Sequence, residues 1–225
     1  MERKSSTQSG FTLVEMMISI GIIAILARIT VPNLLSHRAV TNESAVVATL
    51  RAISQAEYQF RSQGLVDANQ DAGPEFGTLR EMTGQDPLRG LPYSIPNHLL
   101  SSSLGGIDAN GRLYKNGYVI QLFLPNAAGE GIPAIAANNG NFDPSLAMDY
   151  WTCLAWPIKT GSTGRHTFFM NQQGQVLKTN TPMYSGSVAP EPGAALVGST
   201  PKQIDSQELA IKTPGADGNQ WLPVH

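Results

Sequence analysis

The sequence predicts an α+β fold in which one long N-terminal helix packs its outer half against a small antiparallel β-sheet with long loops. An apolar run covers residues 11–35, and a pattern with helical spacing continues over residues 36–64. Short strand patterns separated by turn residues follow over residues 65–180. The 22 glycines and 15 prolines favour a turn-rich β head over a helical bundle.

The composition limits the classes of protein that fit. A chain of 225 residues is long enough for one ordinary domain, or for a small domain plus an anchor. The formal net charge of -2 gives no indication of a nucleic-acid partner. The single cysteine, Cys153, excludes an intramolecular disulfide, and its apolar neighbours predict a small buried hydrophobic residue.

The N-terminus changes character abruptly at Phe11. Residues 1–10 are polar and include Arg3 and Lys4, whereas an apolar run extends from Phe11 until Arg28 interrupts it. A spanning helix needs roughly 17–25 apolar residues, so this segment is just long enough to cross a bilayer. The two basic residues are expected to stay in the cytoplasm, which places the C-terminal head outside.

Three ordinary explanations of this segment compete: a secretory signal peptide, an uncleaved single-pass anchor, and a buried core helix. A signal peptide is cleaved after its apolar region, where residues 24–27 offer only a loose cleavage site. Glu15 discriminates among the rest, because an ionisable group at the centre of a membrane helix costs about 2.5–3.5 kcal/mol. A plain anchor gains nothing from that residue.

An assembly helix can give Glu15 a partner. If the chain is cut between Gly10 and Phe11, a positive α-amino group appears at Phe11, one helical turn before Glu15. In a bundle, Glu15 of one chain could then pair with the amino terminus of a neighbour. The pair would neutralise two costly charges and fix the axial register between subunits.

The N-terminal segment closely resembles the signature of type IV prepilins and type II secretion pseudopilins. The resemblance lies in the run Gly10, Phe11 and Glu15, followed by an Ile/Leu/Ala-rich segment and Pro32. The resemblance implies a pilin-like fold and a prepilin peptidase that cuts after Gly10 and methylates Phe11. It further implies identical subunits in a helical filament and inner-membrane assembly machinery of a pilus or a type II secretion system. The precursor would lie in the inner membrane, and the product in an extracellular filament or, for a pseudopilin, in the periplasm.

Pro32 is expected to disturb the first half of the helix, and Arg28 is an unusual residue within it. Pro32 lacks a backbone donor and should kink or open the helix. Within the family, helical order is often lost in the assembled filament, which places a kink or melted stretch at about residues 21–32. Arg28 departs from the family pattern; it either snorkels at the outer membrane boundary or pairs with a carboxylate in the filament.

The outer half of the helix, residues 36–64, shows one apolar stripe. Its spacing predicts that these residues form the contact with the head: Ala39, Val46, Leu50, Ile53 and Phe60. The charged residues of the segment, among them Glu57, are expected mostly off the stripe. Gly64 is the expected stop.

The head begins with a candidate calcium loop. Asp67, Asn69 and Asp71 place oxygen donors at alternate positions, as in loops that wrap Ca²⁺. The match is partial, because Ala72 stands where the loop glycine belongs and Thr78 where the bidentate acid belongs. A solvated turn is the competing interpretation.

Strand patterns and turn signals fill the rest of the head. Strands are predicted at 112–124, 151–158, 166–170 and 175–179, and the last two form a hairpin. Residues 181–225 are rich in proline, glycine and serine, which predicts a surface-wrapping or partly flexible tail.

Catalysis finds little support. The four histidines are scattered, and the sequence has no nucleophile elbow or phosphate-binding lysine loop. The sequence therefore predicts a structural subunit of a type IV pilus-like filament and no enzyme. A type II secretion pseudopilin is the first alternative, and an uncleaved membrane-anchored periplasmic binding protein is the second.

Overall fold

A computed structural model describes residues 10–71, 73–101, 104, 106–198 and 200–224. The expected leader, residues 1–10, lies outside this range except for Gly10. Helix α1 spans Leu13–Ser62 and is continuous in the single chain. It ends at the C-cap Gln63, and Gly64 follows with φ of 62°, a left-handed conformation that glycine adopts at little cost.

Pro32 lies within the helical span of α1. Because proline has no N–H, the carbonyl of Arg28 loses its helical donor at this point. The kink or melted stretch at about residues 21–32 is expected in an assembled filament. The structure describes a single chain, in which this segment is helical, so the expectation stays a prediction.

The head is built on one antiparallel sheet, with short helices in the connections. The helices are α2 (Leu79–Met82), a 3₁₀ turn (Ala136–Asn138) and α3 (Pro144–Ala147). The strands are β1 (Arg112–Lys115), β2 (Tyr118–Pro125), β3 (Gly131–Pro133), β4 (Thr152–Pro157), β5 (Thr167–Asn171), β6 (Leu177–Thr179) and β7 (Leu222–Pro223). The strand order is β1-β2-β4-β5-β6-β7, and β3 pairs with β2. The predicted α+β class with a long N-terminal helix is confirmed.

The single strand predicted over 112–124 is wrong, because a hairpin turn divides it. Lys115 pairs with Tyr118 across Asn116 and Gly117, which have φ of 49° and 72°. An Asn-Gly pair with positive φ at both positions forms the tight turn that matches the twist of paired strands. The single predicted strand places Asn116 and Gly117 in its interior, although an Asn-Gly pair is itself a turn signal.

The inner face of the sheet and the outer half of α1 form the main core. The predicted stripe is confirmed, since Ala39, Val46, Leu50, Ile53 and Phe60 are all buried. From the sheet, Tyr118, Ile120, Leu122 and Leu124 meet this helix face. The helix therefore replaces a second sheet as the cover of this side.

The C-terminal segment covers the outer face of the same sheet. It contributes Tyr184, Leu196, Ile204 and Trp221 to a second core that also holds Trp156, Phe169 and Leu177 from the strands. Strand β7 joins the sheet beside β6. Of the two predicted alternatives, a surface-wrapping or a partly flexible tail, the structure shows the first: the segment is a packed cover of the sheet.

Candidate functional site

The start of α1 is defined by a reciprocal cap. Thr12 is the N-cap: its hydroxyl accepts from the Glu15 N–H at 3.2 Å, and its own N–H donates to Glu15 Oε2 at 2.9 Å. The Thr12 hydroxyl also donates to Glu15 Oε2, at 2.8 Å. This capping box satisfies donors that the helix itself leaves unpaired. In the single chain, the carboxylate expected to pair with a neighbour serves its own helix terminus.

The expected cleavage point lies just outside the helix. Gly10 and Phe11 are non-helical and exposed, and they precede the N-cap Thr12. A peptidase needs an accessible, non-helical chain, and this stretch offers one. Cleavage after Gly10 and methylation of Phe11 stay predictions.

The first half of α1 presents an uncovered apolar surface. All side chains from 11 to 28 are exposed, whereas the same helix is half covered by the head further on. The hydroxyls of Ser19 and Thr30 donate to the carbonyls of Glu15 and Leu26, at 2.7 and 2.9 Å, so neither needs water. We call residues 11–35 the apolar half-helix.

Across the part of the chain that the structure describes, no helix is long and apolar enough to cross a membrane.

Arg28 is exposed on this half-helix. It stands 13 residues after Glu15, which is roughly 20 Å along the axis. The two charges are therefore too far apart to meet within one chain. Both alternatives for Arg28, snorkelling and pairing with another subunit, stay open.

A polar clamp holds the head to α1 where the apolar half-helix ends. Glu43 Oε1 accepts from the N–H groups of Arg165 and His166 at 2.7 and 3.3 Å, and Oε2 lies 2.9 Å from His166 Nδ1. Asn42 donates to the Thr163 carbonyl at 2.9 Å. The loop before β5 is thereby fixed to the helix at its first buried turns.

A second polar contact lies deep in the head and was not found from the sequence. Arg89 donates through Nη1 to Glu75 at 3.1 Å and through Nε to Glu81 at 3.2 Å, and it also bonds the Phe76 carbonyl. Glu57 of α1 accepts from the Gly77 N–H at 2.8 Å. All four charged side chains are buried.

The expectation that Glu57 lies off the apolar stripe is wrong. It is fully buried, because it follows Leu50 and Ile53 and precedes Phe60 at helical spacing. Burial raises its pKa to about 8, with smaller opposing effects from the Gly77 hydrogen bond and the Arg89 charge. The periodicity alone would have placed it in the core.

The candidate calcium loop is closed by its own hydrogen bonds. Asn69 donates to Asp71 Oδ2 at 2.7 Å, and Asp71 Oδ1 accepts from the Gly73 N–H at 2.8 Å. The nearest further acid, Glu75, accepts from Ala68 and pairs with Arg89. The donor set therefore fits calcium poorly in this arrangement, and calcium at Asp67, Asn69 and Asp71 stays a prediction.

The described residues contain no group of three or more His, Cys, Asp or Glu side chains placed to hold a metal ion. Cys153 is fully buried, and burial, followed by the charge of Glu57, raises the pKa of its thiol. His166 is held by Glu43 in the clamp. The two residues have separate structural roles.

Comparison with known proteins bears on the apolar half-helix. A family model described as the prokaryotic N-terminal methylation motif matches residues 5–27. The type IV major pilin protein PilA of Myxococcus xanthus (strain DK1622) is 28% identical over 168 residues, which is 74% of this chain and 66% of that pilin. The chain is thus similar to type IV pilins.

These two matches confirm the resemblance to type IV pilins seen in the N-terminal sequence. The chain spans about two thirds of the length of the curated pilin it matches. No solved structure matches the chain. The pilin-like fold therefore stands on the methylation motif, the long first helix and the antiparallel sheet behind it.

Proposed function

We propose that the chain is a structural, non-enzymatic subunit of a type IV pilus-like extracellular filament. The observation that carries the proposal is the apolar half-helix, which the head leaves uncovered. A surface of this kind is unfavourable in water and marks a membrane or protein contact. Residues 11–35 would lie in the inner membrane before assembly and in the filament interior afterwards.

Processing supplies the partner of Glu15. A prepilin peptidase would cleave after Gly10 and methylate Phe11, leaving a charged amino group just before the N-cap Thr12. The bond between the Thr12 N–H and Glu15 supports this proposal, because Thr12 follows the residue that would carry the new terminus. In a bundle of parallel helices, the Glu15 carboxylate would bind the amino group of a neighbouring subunit and fix the register.

A type II secretion pseudopilin is the alternative with the same mechanism, and it would act in the periplasm. The similarity to a major pilin over 74% of the chain favours the pilus. The partners are further copies of this chain, the prepilin peptidase and the inner-membrane assembly machinery. An uncleaved periplasmic binding protein would give the apolar half-helix no role beyond anchoring.

The test is the intact mass of the protein in filaments sheared from cells. We expect a chain that lacks residues 1–10 and carries one added methyl group. A processed chain confined to the membrane and periplasm would indicate the pseudopilin. An unprocessed chain that is absent from filaments would contradict both filament functions.

A further inference from the structure

The two ends of the head carry opposite charge along the axis of α1. The end next to the apolar half-helix is the proximal end, and the end at the C-terminus of α1 is the distal end. Their levels follow from contacts with the helix: Ser36 accepts from Arg165 Nη2 at 2.9 Å, and Tyr58 donates to the Gln172 carbonyl. These two positions are roughly 33 Å apart along the helix.

The proximal end is basic. Arg165 belongs to the loop bound at Ser36, and Lys159 is joined to that loop, since its carbonyl accepts from the Thr163 N–H at 2.9 Å. Arg38 is exposed on the helix itself.

Glu43, an acid at this end, is engaged in the clamp. Both oxygens of Glu43 are occupied, by the N–H groups of Arg165 and His166 and by the His166 ring. It therefore offers little charge to an outside partner. The remaining side chains named above leave the proximal end with an excess of positive charge.

The distal end is acidic. Asp149 lies 3.6 Å from Arg61, and Asp71 closes the loop that packs near Met148. Glu130 and Asp205 are exposed beside the turn between β2 and β3, where the Ile204 N–H donates to the Gly129 carbonyl.

The β2–β3 turn lies at the level of Tyr58. Near the end of β2 that leads into this turn, Phe123 pairs with Thr152 of β4. Thr152 in turn pairs with Asn171 of β5, which precedes Gln172. Arg61 and Lys202 are basic side chains at this end, but the four acids Asp71, Glu130, Asp149 and Asp205 outweigh them.

We propose that the basic proximal end of one head binds the acidic distal end of a second copy of this chain. The inference rests on the proposed function, because parallel apolar half-helices point all heads in the same direction and bring unlike ends together. At a Debye length of about 8 Å the attraction acts only between facing ends. Such complementarity suppresses wrong arrangements and fixes register.

The experiment uses charge reversal in the full-length chain, with filament yield after shearing as the readout. The basic-end variant carries Arg38→Glu and Lys159→Glu, and the acidic-end variant carries Glu130→Lys and Asp205→Lys. Among the described residues, the side chains of these four positions make no hydrogen bond, so the variants should still fold. Lys212→Glu, an exposed reversal on the covering C-terminal segment, is the control.

We expect each end variant to lower filament yield about tenfold, because like charges then face each other. Combining the two variants should restore the yield, and the control should leave it unchanged. Wild-type filaments should also release subunits faster as salt is raised. Restored yield in the combined variant would also show that the basic-end and acidic-end substitutions each allow the chain to fold.

The outcomes separate the contact from the filament function. Wild-type filaments with both end variants unaffected would overturn the contact alone. Loss in the basic-end variant only, without restoration, would overturn it in favour of an anionic lipid surface. If the wild-type chain forms no filament, the proposed function and this contact both fail.

Discussion

Glu57 and Gly77 meet in the core of the head, where the Gly77 N–H donates to Glu57 Oε2 at 2.8 Å. The other oxygen, Oε1, has no hydrogen-bond partner among the described residues. Glu57 belongs to α1, and Gly77 belongs to the segment that leads into α2. One buried carboxyl group therefore joins α1 to the loops of the head.

The first prediction is that Glu57 makes the head less stable as the pH rises. Its pKa is raised from 4.5 to about 8 in the folded state, so its protonated form stabilises the fold fully below pH 4.5. That contribution is lost between pH 4.5 and 8, and it amounts to on the order of 5 kcal/mol. Urea unfolding of the full-length chain in detergent across this range measures it.

Glu57→Gln is the matched variant, because the amide oxygen can still accept from Gly77 and no longer ionises. The charged groups that face Glu57 are Glu81 and Arg89, and the Cys153 thiol is also close enough to feel its charge. They remain in the variant, so the difference between the two proteins isolates Glu57. Parallel pH curves would show that Glu57 does not titrate in the core.

Removal of Arg89 should destabilise the head strongly. Arg89→Met would leave Glu75 and Glu81 buried without their cation, at a cost of about 3–5 kcal/mol. Arg61→Met is the control, because the Arg61–Asp149 pair is largely exposed and should cost no more than about 1 kcal/mol. Equal losses in denaturant unfolding would contradict the structural role of Arg89.

Two variants at the start of α1 separate capping from assembly. Glu15→Ala should abolish filaments and still allow membrane insertion, because it removes the charge expected to pair with a neighbour. Thr12→Ala removes only the capping hydroxyl, at about 1 kcal/mol, and should leave filaments. The measurement is the number of filaments on cells that express each variant. Equal losses in the two variants would show that Glu15 acts only as a helix cap.

The covering C-terminal segment should be essential to the fold. Trp221 is fully buried against Phe169, at 6.1 Å between ring centroids, and donates to Asp217 at 3.2 Å. Trp221→Ala should therefore cost about 3–5 kcal/mol in unfolding free energy. Its neighbour Leu222 is 41% exposed, and Leu222→Ala should cost about 0.5 kcal/mol. A stable Trp221→Ala protein would mean that the segment only rests on the sheet.

Calcium binding, predicted from the spacing of Asp67, Asn69 and Asp71, has a direct test. A bound ion would raise the melting temperature on calcium addition, since a ligand that binds the folded state stabilises it. Asp71→Asn would remove the rise. Because Asp71 already accepts from Gly73, the ion would have to compete with this bond, and an unchanged melting temperature would exclude the site.

Local patterns predicted the helix and its two faces well. The stripe from Ala39 to Phe60 and the stop at Gly64 depend on residues a few positions apart, which periodicity records directly. The hairpin at Asn116 was equally local, and it was missed because a run of β-forming residues hid the turn. Glu57 was misplaced because its charge was given more weight than its position.

The sequence by itself determined the N-terminal methylation signature, the two-part helix and the α+β class, because each depends on neighbours along the chain. Only the tertiary structure decided which partners the polar side chains find. Glu43 meets His166 across 123 positions, and Arg89 meets Glu75 across a folded loop. The second core and the opposite charge of the two ends arise in the same way. Such contacts depend on how the loops and strands are arranged in space, and residue spacing carries no record of that arrangement.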